Sequence, residues 1–335
     1  MKDFLDLADL SPAGVRELIA LAGRLEKHPE PAALSGKVLG LMFLNPSLRT
    51  LASFQSGMAR LGGNSFVISP GSSWQLEYRP DVPMTAEAAE HVREAVPVLA
   101  SYADVLGVRS FAGGRSLESD LSEPVFQAIR DVCPVPLINM ESAVNHPCQA
   151  LADWKTLDDL EIPTHGTRFV LSWASHPKPL PLAVPAAAAH MAAMRGMDLT
   201  ILRPPGFELP SAIMDRVAAA AAAAGGSVRE TADREEAMDG ARVLYAKSWG
   251  CTRDYGDAQA DAALRSDYSD WTVGEPWFGP ADPGCIFMHC LPVRREVVVT
   301  SEVLEGPRSR VVPQARNRMY AQMAVLYRLL RGRGD

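Results

Sequence analysis

The 335-residue sequence lacks the features that mark exported, disulfide-stabilised and nucleic-acid-binding proteins. Its five cysteines form no Cys-x-x-Cys pair, which favours reduced thiols over a disulfide framework. Near the start, charged residues at Lys2, Asp3 and Asp6 interrupt what would be the apolar core of a signal peptide. The net charge of -7 leaves no basic excess to neutralise nucleic-acid phosphates. We therefore expect a cytoplasmic protein that does not bind nucleic acid.

Long hydrophobic runs and a dinucleotide-binding motif are also missing. The most apolar stretches, 182–194 and 217–224, are alanine-rich and shorter than the ~20 residues that a membrane-spanning helix needs. No Gly-x-Gly-x-x-Gly follows a predicted strand, which argues against a nicotinamide-dependent oxidoreductase. We expect neither a membrane partner nor a bound nicotinamide cofactor.

Short apolar runs that alternate with helical patterns dominate what is present. Helices are predicted from Pro12 with Ser11 as N-cap, and after Asn45 through Arg60. Further predicted helices are Ala86–Tyr102, Glu123–Asp131, Pro147–Leu160, Ser211–Ala224 and Asn317–Leu330. The predicted strands are Val38–Phe43, Val105–Val108, Pro136–Ile138, Phe169–Trp173, Leu199–Leu202, Val243–Ala246, Ile286–His289 and the strand-like Arg310–Val312. This alternation predicts an α/β fold with two doubly wound parallel sheets.

The chain is long enough for two domains of comparable size. A buried-strand pattern starts afresh at Phe169, so we place the boundary in the long helix that begins near His146. Residues 1–145, joined by the C-terminal helix 315–332, form the first predicted domain, and residues 146–314 form the second. Ligands of such sheets bind at the carboxyl ends of the strands. We expect the active site in the cleft between the two domains.

Three segments carry candidate chemistry. Asn45-Pro46-Ser47-Leu48-Arg49-Thr50 lies where a strand gives way to a helix, and a helix N-terminus with Ser, Arg and Thr side chains binds phosphate. His146-Pro147-Cys148-Gln149 opens another helix, with His146 as the cap and Gln149 one turn later. Taken alone, the first string is more often an ordinary N-cap. The second is equally compatible with a capping histidine beside a surface glutamine.

The third segment, His289-Cys290-Leu291-Pro292-Val293-Arg294-Arg295, directly follows a predicted strand, so Arg294 is placed to meet an anion. A metal site at Cys285, His289 and Cys290 is disfavoured because no second ligand pair at zinc-like spacing exists. Arg109 and Arg318 are further cations at element ends, and each alone is also compatible with a surface arginine.

Together the motifs resemble, in order and approximate spacing, those of the aspartate/ornithine carbamoyltransferase family over nearly the whole chain. The sequence is most similar to the branch that uses N-acetylornithine or N-succinylornithine. Four segments are typical of that branch: Asn45–Thr50, Ala246-Lys247-Ser248-Trp249, Trp173–Leu180 and Leu291–Arg295. One departure is Leu51, where the family commonly has arginine.

The resemblance implies a carbamoyltransferase that needs no metal or cofactor and acts in arginine biosynthesis. The implied catalytic residues are Arg49, Thr50, Arg109, His146 and Cys290. Carbamoyl phosphate is expected to contact Ser47, Leu48, Arg49, Thr50, Trp74, Arg109, His146, Gln149, Cys290, Leu291 and Arg318. The implied acylornithine-binding residues are Glu141, Lys247, Leu291, Arg294 and Ala89. Trp74, in a loop with Gly71 and Ser72, is expected to reach a neighbouring subunit's site in a homotrimer.

The resemblance also bears on the acceptor and on the chain path. Ornithine-specific relatives place an aspartate near Lys247, and a lysine there would repel the α-ammonium group of free ornithine. Ala89 replaces a glutamate that narrows the acyl pocket of the N-acetyl type, and Glu141 has the spacing of the N-succinyl type. N-succinyl-L-ornithine is therefore the favoured acceptor over N-acetyl-L-ornithine. The alternatives are an ornithine carbamoyltransferase and a non-catalytic paralogue that binds acyl amino acids. The branch also implies a knot, with Pro177, Pro179, Pro181 and Pro185 in its loop.

Overall fold

A computed structural model describes residues 1–69 and 73–331. Gly71 and Ser72 of the predicted Trp74 loop lie outside the described residues, as does the chain beyond Arg331. The chain divides into two compact units. The first comprises Met1–Gly113, Glu118–Cys148 and the chain from Arg318, and the second comprises Gly114–Leu117 and Gln149–Asn317. None of the five cysteines, which all lie in the described part, forms a disulfide.

Helices and strands alternate along most of the described chain. The strands are β1 (Val38–Phe43), β2 (Asn64–Ile68), β3 (Gln75–Glu77), β4 (Ala88–His91), β5 (Val105–Arg109), β6 (Leu137–Glu141), β7 (Arg168–Ser172), β8 (Asp198–Leu202), β9 (Ser227–Thr231), β10 (Val243–Ala246) and β11 (Ile286–Met288). The α-helices are α1 (Pro12–Lys27), α2 (Leu48–Arg60), α3 (Val92–Ser101), α4 (Leu117–Ser122), α5 (Pro124–Val132), α6 (Pro147–Asp159), α7 (Ala183–Met194), α8 (Ser211–Ala224), α9 (Arg234–Met238), α10 (Ala258–Ser266), α11 (Ser301–Glu305) and α12 (Val311–Leu330). Short 3-10 turns occupy Leu7–Asp9 and Glu275–Phe278.

The first unit contains a four-stranded parallel sheet in the order β2-β1-β5-β6. Residues of α3 and α5 pack on it through an apolar cluster that includes Val96, Leu106 and Ile129, which are almost fully buried. In this sheet Phe43 pairs with Arg109, and Arg109 pairs with Glu141 after a register shift. The residues that follow β1, β5 and β6 therefore emerge side by side at one edge.

The second unit contains a five-stranded parallel sheet in the order β11-β10-β7-β8-β9. Helix α7 is buried nearly all round, because its many alanines leave no bulky polar face. Ala246 pairs with Ser172, and Tyr245 pairs with Met288. The segments after β7, β10 and β11 consequently leave the sheet at the same edge.

The predicted fold class, α/β with two doubly wound parallel-sheet domains, is confirmed. Ser11 caps α1 as predicted, since its side chain accepts a hydrogen bond from the Gly14 amide. No helix within residues 1–69 and 73–331 is both long and apolar enough to cross a membrane. The predicted knot stays a prediction.

One predicted helix was correct only in its C-terminal part, and one predicted strand was wrong. The predicted helix Ala86–Tyr102 begins with strand β4, which pairs with β3, and α3 starts only after His91, whose side chain caps it. The predicted strand Arg310–Val312 lies largely in the first turn of α12, where the Gln314 amide already bonds to the Arg310 carbonyl. Strand-like pairing with Phe287 occurs just before it, at Ser309. The β-branched residues Val311 and Val312 favour a strand, but the N-terminal turn of a helix also tolerates them.

Strands β2 and β9 were missed. Each lies at an edge of its sheet, and their residues are half-buried or exposed. An edge strand needs no continuous apolar run, so its sequence carries little of the signal that identifies central strands.

Candidate active site

Helix α2 of the first unit begins at the predicted phosphate loop. Ser47 is its N-cap: the side-chain oxygen accepts a hydrogen bond from the Thr50 amide at 3.3 Å and donates to Thr50 Oγ1 at 2.9 Å. Asn45 Oδ1 accepts a hydrogen bond from the Phe111 amide at 2.7 Å, which ties this loop to the segment after β5. The helix N-terminus, with its unsatisfied N–H groups and positive dipole end, is held beside Arg109 by these bonds.

Arg109, Glu141 and His146 form a buried cluster in the same unit. Arg109 donates from Nη1 to Glu141 Oε2, and its guanidinium lies 4.4 Å from the centre of the Phe111 ring. His146 Nε2 lies 3.3 Å from the same carboxylate oxygen. Only 3% of His146 is exposed, because it precedes the buried start of α6. Glu141 therefore orients both the arginine and the imidazole.

Arg318, on α12, brings a second arginine to this cluster. It is buried and donates from Nη2 to Thr50 Oγ1 at 2.6 Å, although 268 residues separate the two in sequence. Burial lowers the pKa of Arg318, and the positive charges of Arg109 and Arg49 lower it further, while Glu141 opposes them. Arg318 and Arg109 are thus two buried guanidinium groups of the same cluster, and a bound anion would relieve their repulsion.

Two of these arginines also keep donor atoms for a ligand. Within the described residues, Arg109 Nε and Arg318 Nε are buried and have no hydrogen-bond acceptor. A buried donor without a partner costs about 1–3 kcal/mol, so these groups favour an oxyanion that accepts from both. The neighbouring Cys148 thiol does not supply negative charge, because burial raises its pKa to about 12. The geometry and charge of this cluster suit a small phosphorylated ligand.

A second set of buried polar side chains lies in the second unit. Asp153 Oδ1 accepts hydrogen bonds from Gln149 Nε2 at 2.8 Å and from Gln314 Nε2 at 2.7 Å. Gln314 Oε1 in turn accepts from the His289 amide at 3.0 Å, and His289 Nδ1 accepts from the Leu291 amide at 2.9 Å. These bonds connect the predicted His-Pro-x-Gln and His-Cys-Leu-Pro motifs.

The turn at Leu291 has an unusual backbone. Leu291 has a φ of +56°, in the left-handed region that non-glycine residues seldom adopt. Such strained positions cluster at ligand sites, where the surrounding bonds hold them in place. Cys290, directly before it, is 8% exposed. The carbonyl groups of this turn are therefore held in one orientation.

Two cations, Lys247 after β10 and Arg294 after β11, lie near His176, which follows β7 in the second unit. His176 Nε2 accepts a hydrogen bond from Arg294 Nε at 3.1 Å. Burial lowers the pKa of His176, and the charges of Lys247, Arg294 and Arg265 lower it further. Arg265 is neutralised by Asp261, whereas Lys247 and Arg294 have no carboxylate partner in the part of the chain that the structure describes. This second cluster is suited to bind carboxylate groups.

The small parallel sheet β3-β4 carries two further predicted residues. Trp74 directly precedes β3, and its indole N–H donates to Glu90 of β4 at 2.8 Å. Ala89 is exposed next to Glu90. Trp74 is 59% exposed, so more than half of this large side chain faces solvent. Such an exposed indole is typical of an interface or a ligand site.

The structure thus groups the predicted residues by unit. Ser47, Leu48, Arg49, Thr50, Arg109, Glu141, His146 and Arg318 lie in the first unit around the start of α2 and the ends of β5 and β6, and Gln149, Lys247, Cys290, Leu291 and Arg294 lie in the second. Glu141, predicted as an acylornithine ligand, lies between Arg109 and His146. Across residues 1–69 and 73–331, no three His, Cys, Asp or Glu side chains are arranged to hold a metal ion.

Two residues of the site were missed by sequence reasoning. His176 belongs to a stretch that carried the resemblance but had been given no role, and Gln314 belongs to no motif at all. The only sequence signal for Gln314 is its spacing on α12, one turn before Asn317 and Arg318, which places these polar residues on one helical face.

Two models of known domains match the chain. Residues 2–159 match the carbamoyl-phosphate-binding domain, and residues 184–329 the Asp/Orn-binding domain, of aspartate/ornithine carbamoyltransferases. The chain belongs to the aspartate/ornithine carbamoyltransferase family. The predicted resemblance to this family and to its N-acylornithine branch is confirmed, as is the prediction that the protein is a carbamoyltransferase enzyme.

Relatives of both acyl types are similar to this carbamoyltransferase. It is 36% identical to the N-acetylornithine carbamoyltransferase of Xanthomonas campestris pv. campestris over 98% of each chain. It is also 36% identical to the N-succinylornithine carbamoyltransferase of Bacteroides fragilis over 88% of this chain and 87% of the relative. A solved N-acetyl-L-ornithine transcarbamylase variant, complexed with carbamyl phosphate and N-succinyl-L-norvaline, superposes with a TM-score of 0.95 at 36% identity and covers 98% of this chain and 100% of that one.

Proposed function

We propose that this carbamoyltransferase transfers the carbamoyl group of carbamoyl phosphate to the δ-amine of an N-acyl-L-ornithine, with N-succinyl-L-ornithine favoured over N-acetyl-L-ornithine. The products are N-acyl-L-citrulline and phosphate, in the cytoplasmic synthesis of arginine. The observation that carries the proposal is the cluster of Arg49, Arg109 and Arg318 around the N-terminus of α2, in which Arg318 is buried and repelled by the other two.

The first unit is proposed to bind carbamoyl phosphate. Ser47, Arg49 and the α2 amides hold the phosphate, with the exposed Leu48 contributing its backbone, and Arg318 adds charge. Thr50, Arg109 and His146 surround the carbonyl oxygen, where negative charge develops as the amine attacks. The amine forms the new C–N bond, the C–O bond to phosphate breaks, and an amine proton leaves with the phosphate.

The second unit is proposed to supply the groups that orient the reacting nitrogens. The side-chain oxygen of Gln149 accepts a hydrogen bond from the carbamoyl nitrogen, and the carbonyls of Cys290 and Leu291 orient the δ-amine. Positioning of this kind accounts for a large share of catalysis when the reaction needs no protein nucleophile.

Lys247, Arg294 and His176 support an acylated acceptor. Two cations without a carboxylate partner would repel the α-ammonium group of free ornithine, whereas an acylated α-nitrogen is neutral and its carboxylates are attracted. Leu291 and Glu141 are the other proposed acceptor contacts. Ala89 offers neither the bulk nor the charge of a glutamate, which favours the longer, anionic succinyl group over acetyl.

A homotrimer with shared active sites is part of the proposal. Trp74 is exposed and held by Glu90, so its indole is presented away from its own unit's core. We propose that it completes the carbamoyl-phosphate site of a neighbouring subunit.

The decisive experiment measures citrulline-type product from carbamoyl phosphate with ornithine, N-acetylornithine and N-succinylornithine in parallel. We expect the largest kcat/KM with N-succinylornithine, a smaller one with N-acetylornithine, and little turnover of ornithine. Turnover of free ornithine alone would contradict the argument from Lys247. Binding of the acyl compounds without any turnover would identify a non-catalytic paralogue.

A further inference from the structure

One buried carboxylate in the second unit controls two amide side chains at once. Asp153 is fully buried on α6, and its Oδ1 accepts hydrogen bonds from both Gln149 and Gln314. A carboxylate can only accept, so each glutamine must turn its NH₂ group towards Asp153. The oxygen of each amide must then point the opposite way.

The two amide oxygens, Gln149 Oε1 and Gln314 Oε1, differ in their hydrogen bonding. Gln149 Oε1 is buried and has no hydrogen-bond donor within the described residues, so it is an acceptor available to a ligand N–H group. Gln314 Oε1 is already used, because it accepts from the His289 amide at the start of the His-Cys-Leu-Pro turn. His289 continues the chain of bonds to the Leu291 amide, at the residue with the left-handed backbone.

We propose that Asp153 is a positioning residue that orients the groups facing both reacting nitrogens. Through Gln149 it presents an acceptor to the carbamoyl NH₂ group, and through Gln314 and His289 it holds the Leu291 turn that orients the attacking amine. This inference rests on the proposed function for the identity of the ligands. No residue in this chain of bonds except Gln149 and the turn itself touches a substrate.

The main test replaces Asp153 and separates binding from turnover. Asp153→Leu removes the shared acceptor, so the dissociation constant for carbamoyl phosphate, measured by calorimetry, should rise about tenfold and kcat should fall at least about tenfold. Asp153→Asn keeps an oxygen that accepts from both glutamines, although it also adds an amide donor, so it should recover part of both losses.

A second variant removes only the hydrogen bonds that connect Asp153 through Gln314 to His289. Gln314→Leu leaves the Gln149–Asp153 bond in place but frees the His289 amide from its acceptor. Its dissociation constant for carbamoyl phosphate should stay within about twofold of wild type, while kcat/KM for the acceptor falls about tenfold. A purely structural role would not divide the two substrates in this way.

Asp159→Asn is the matched control. Asp159 lies on the same helix and accepts from Asn317 Nδ2 at 2.8 Å, as well as pairing with Lys155, but it contacts neither glutamine. This variant should lower the melting temperature without changing either substrate constant by more than about twofold.

Wild-type binding and kcat in Asp153→Leu would overturn the proposal. If that variant does not fold, unchanged constants in both Asp153→Asn and Gln314→Leu would overturn it equally. If the wild-type enzyme carbamoylates no ornithine compound, the proposed function fails. Titration of Asp153→Leu with carbamoyl phosphate still tests whether Asp153 acts through Gln149.

Discussion

At the residue scale, Arg318 is a buried cation whose surroundings favour a bound anion. It is buried, repelled by Arg49 and Arg109, and joined to Thr50 at the start of α2. Glu141 pairs with Arg109 and also orients His146. A phosphate group there would exchange repulsion for charge-assisted hydrogen bonds.

Replacing this cation tests the phosphate site. Arg318→Met keeps most of the side-chain volume but removes the charge, so kcat/KM for carbamoyl phosphate should fall about 10²- to 10³-fold. Steady-state kinetics with varied carbamoyl phosphate measures this. Arg328→Met is the control, since Arg328 lies on the same helix but pairs with Glu17 at the surface. Equal effects of the two changes would contradict the assignment.

Lys247 provides the corresponding test on the acceptor side. Lys247→Met removes one of the two cations that lack a carboxylate partner, so KM for N-succinylornithine should rise at least about tenfold. The dissociation constant for carbamoyl phosphate should not change, because Lys247 is not among its proposed ligands. Calorimetry and initial rates separate the two effects, and weaker binding of carbamoyl phosphate alone would refute this assignment.

At the element scale, close packing of α2 against α12 supports the phosphate loop. Gly57 lies on the face of α2 that meets α12, and a Cβ there would lie 3.1 Å from Met323 Cγ. The small residue allows α12 to approach closely enough for Arg318 to reach Thr50.

A larger side chain at this helix contact should be destabilising. Gly57→Leu overpacks the contact and should cost about 1–3 kcal/mol in the free energy of unfolding, measured by urea denaturation. It should also reduce carbamoyl-phosphate affinity by displacing Arg318. The control, Gly23→Ala in α1, meets nothing within 4 Å and should instead stabilise by about 0.5–1 kcal/mol. A neutral Gly57→Leu would show that α12 does not depend on this close approach.

The sequence predicted central elements much better than marginal ones. Strands β1 and β10 matched to the residue, because central strands of parallel sheets are continuous apolar runs. Edge strands β2 and β9 were not predicted. Strand β4 was predicted as helix, because its pairing with β3 rather than its local propensity decides its conformation.

At the scale of the whole molecule, the proposed trimer makes a prediction by complementation. Arg49→Ala and Trp74→Ala should each abolish activity as separate trimers. Dissociating, mixing and reassociating the two variants in equal amounts should restore about a quarter of wild-type activity. In random hybrids, about one site in four combines an intact Arg49 with an intact Trp74 from the neighbouring subunit. No recovery in hybrids confirmed by mass spectrometry would show that sites are not shared.

The sequence by itself determined the α/β class, the central strands and the motifs at strand ends, since periodicity and capping are local properties. Only the tertiary structure decided which distant residues meet. Arg318 reaches Thr50 across 268 residues, and Gln314 reaches Asp153 across 161. Contacts of this kind depend on how strands are ordered and helices packed, and no local pattern encodes them. The arginine cluster and the shared Asp153 carboxylate therefore became visible only in three dimensions.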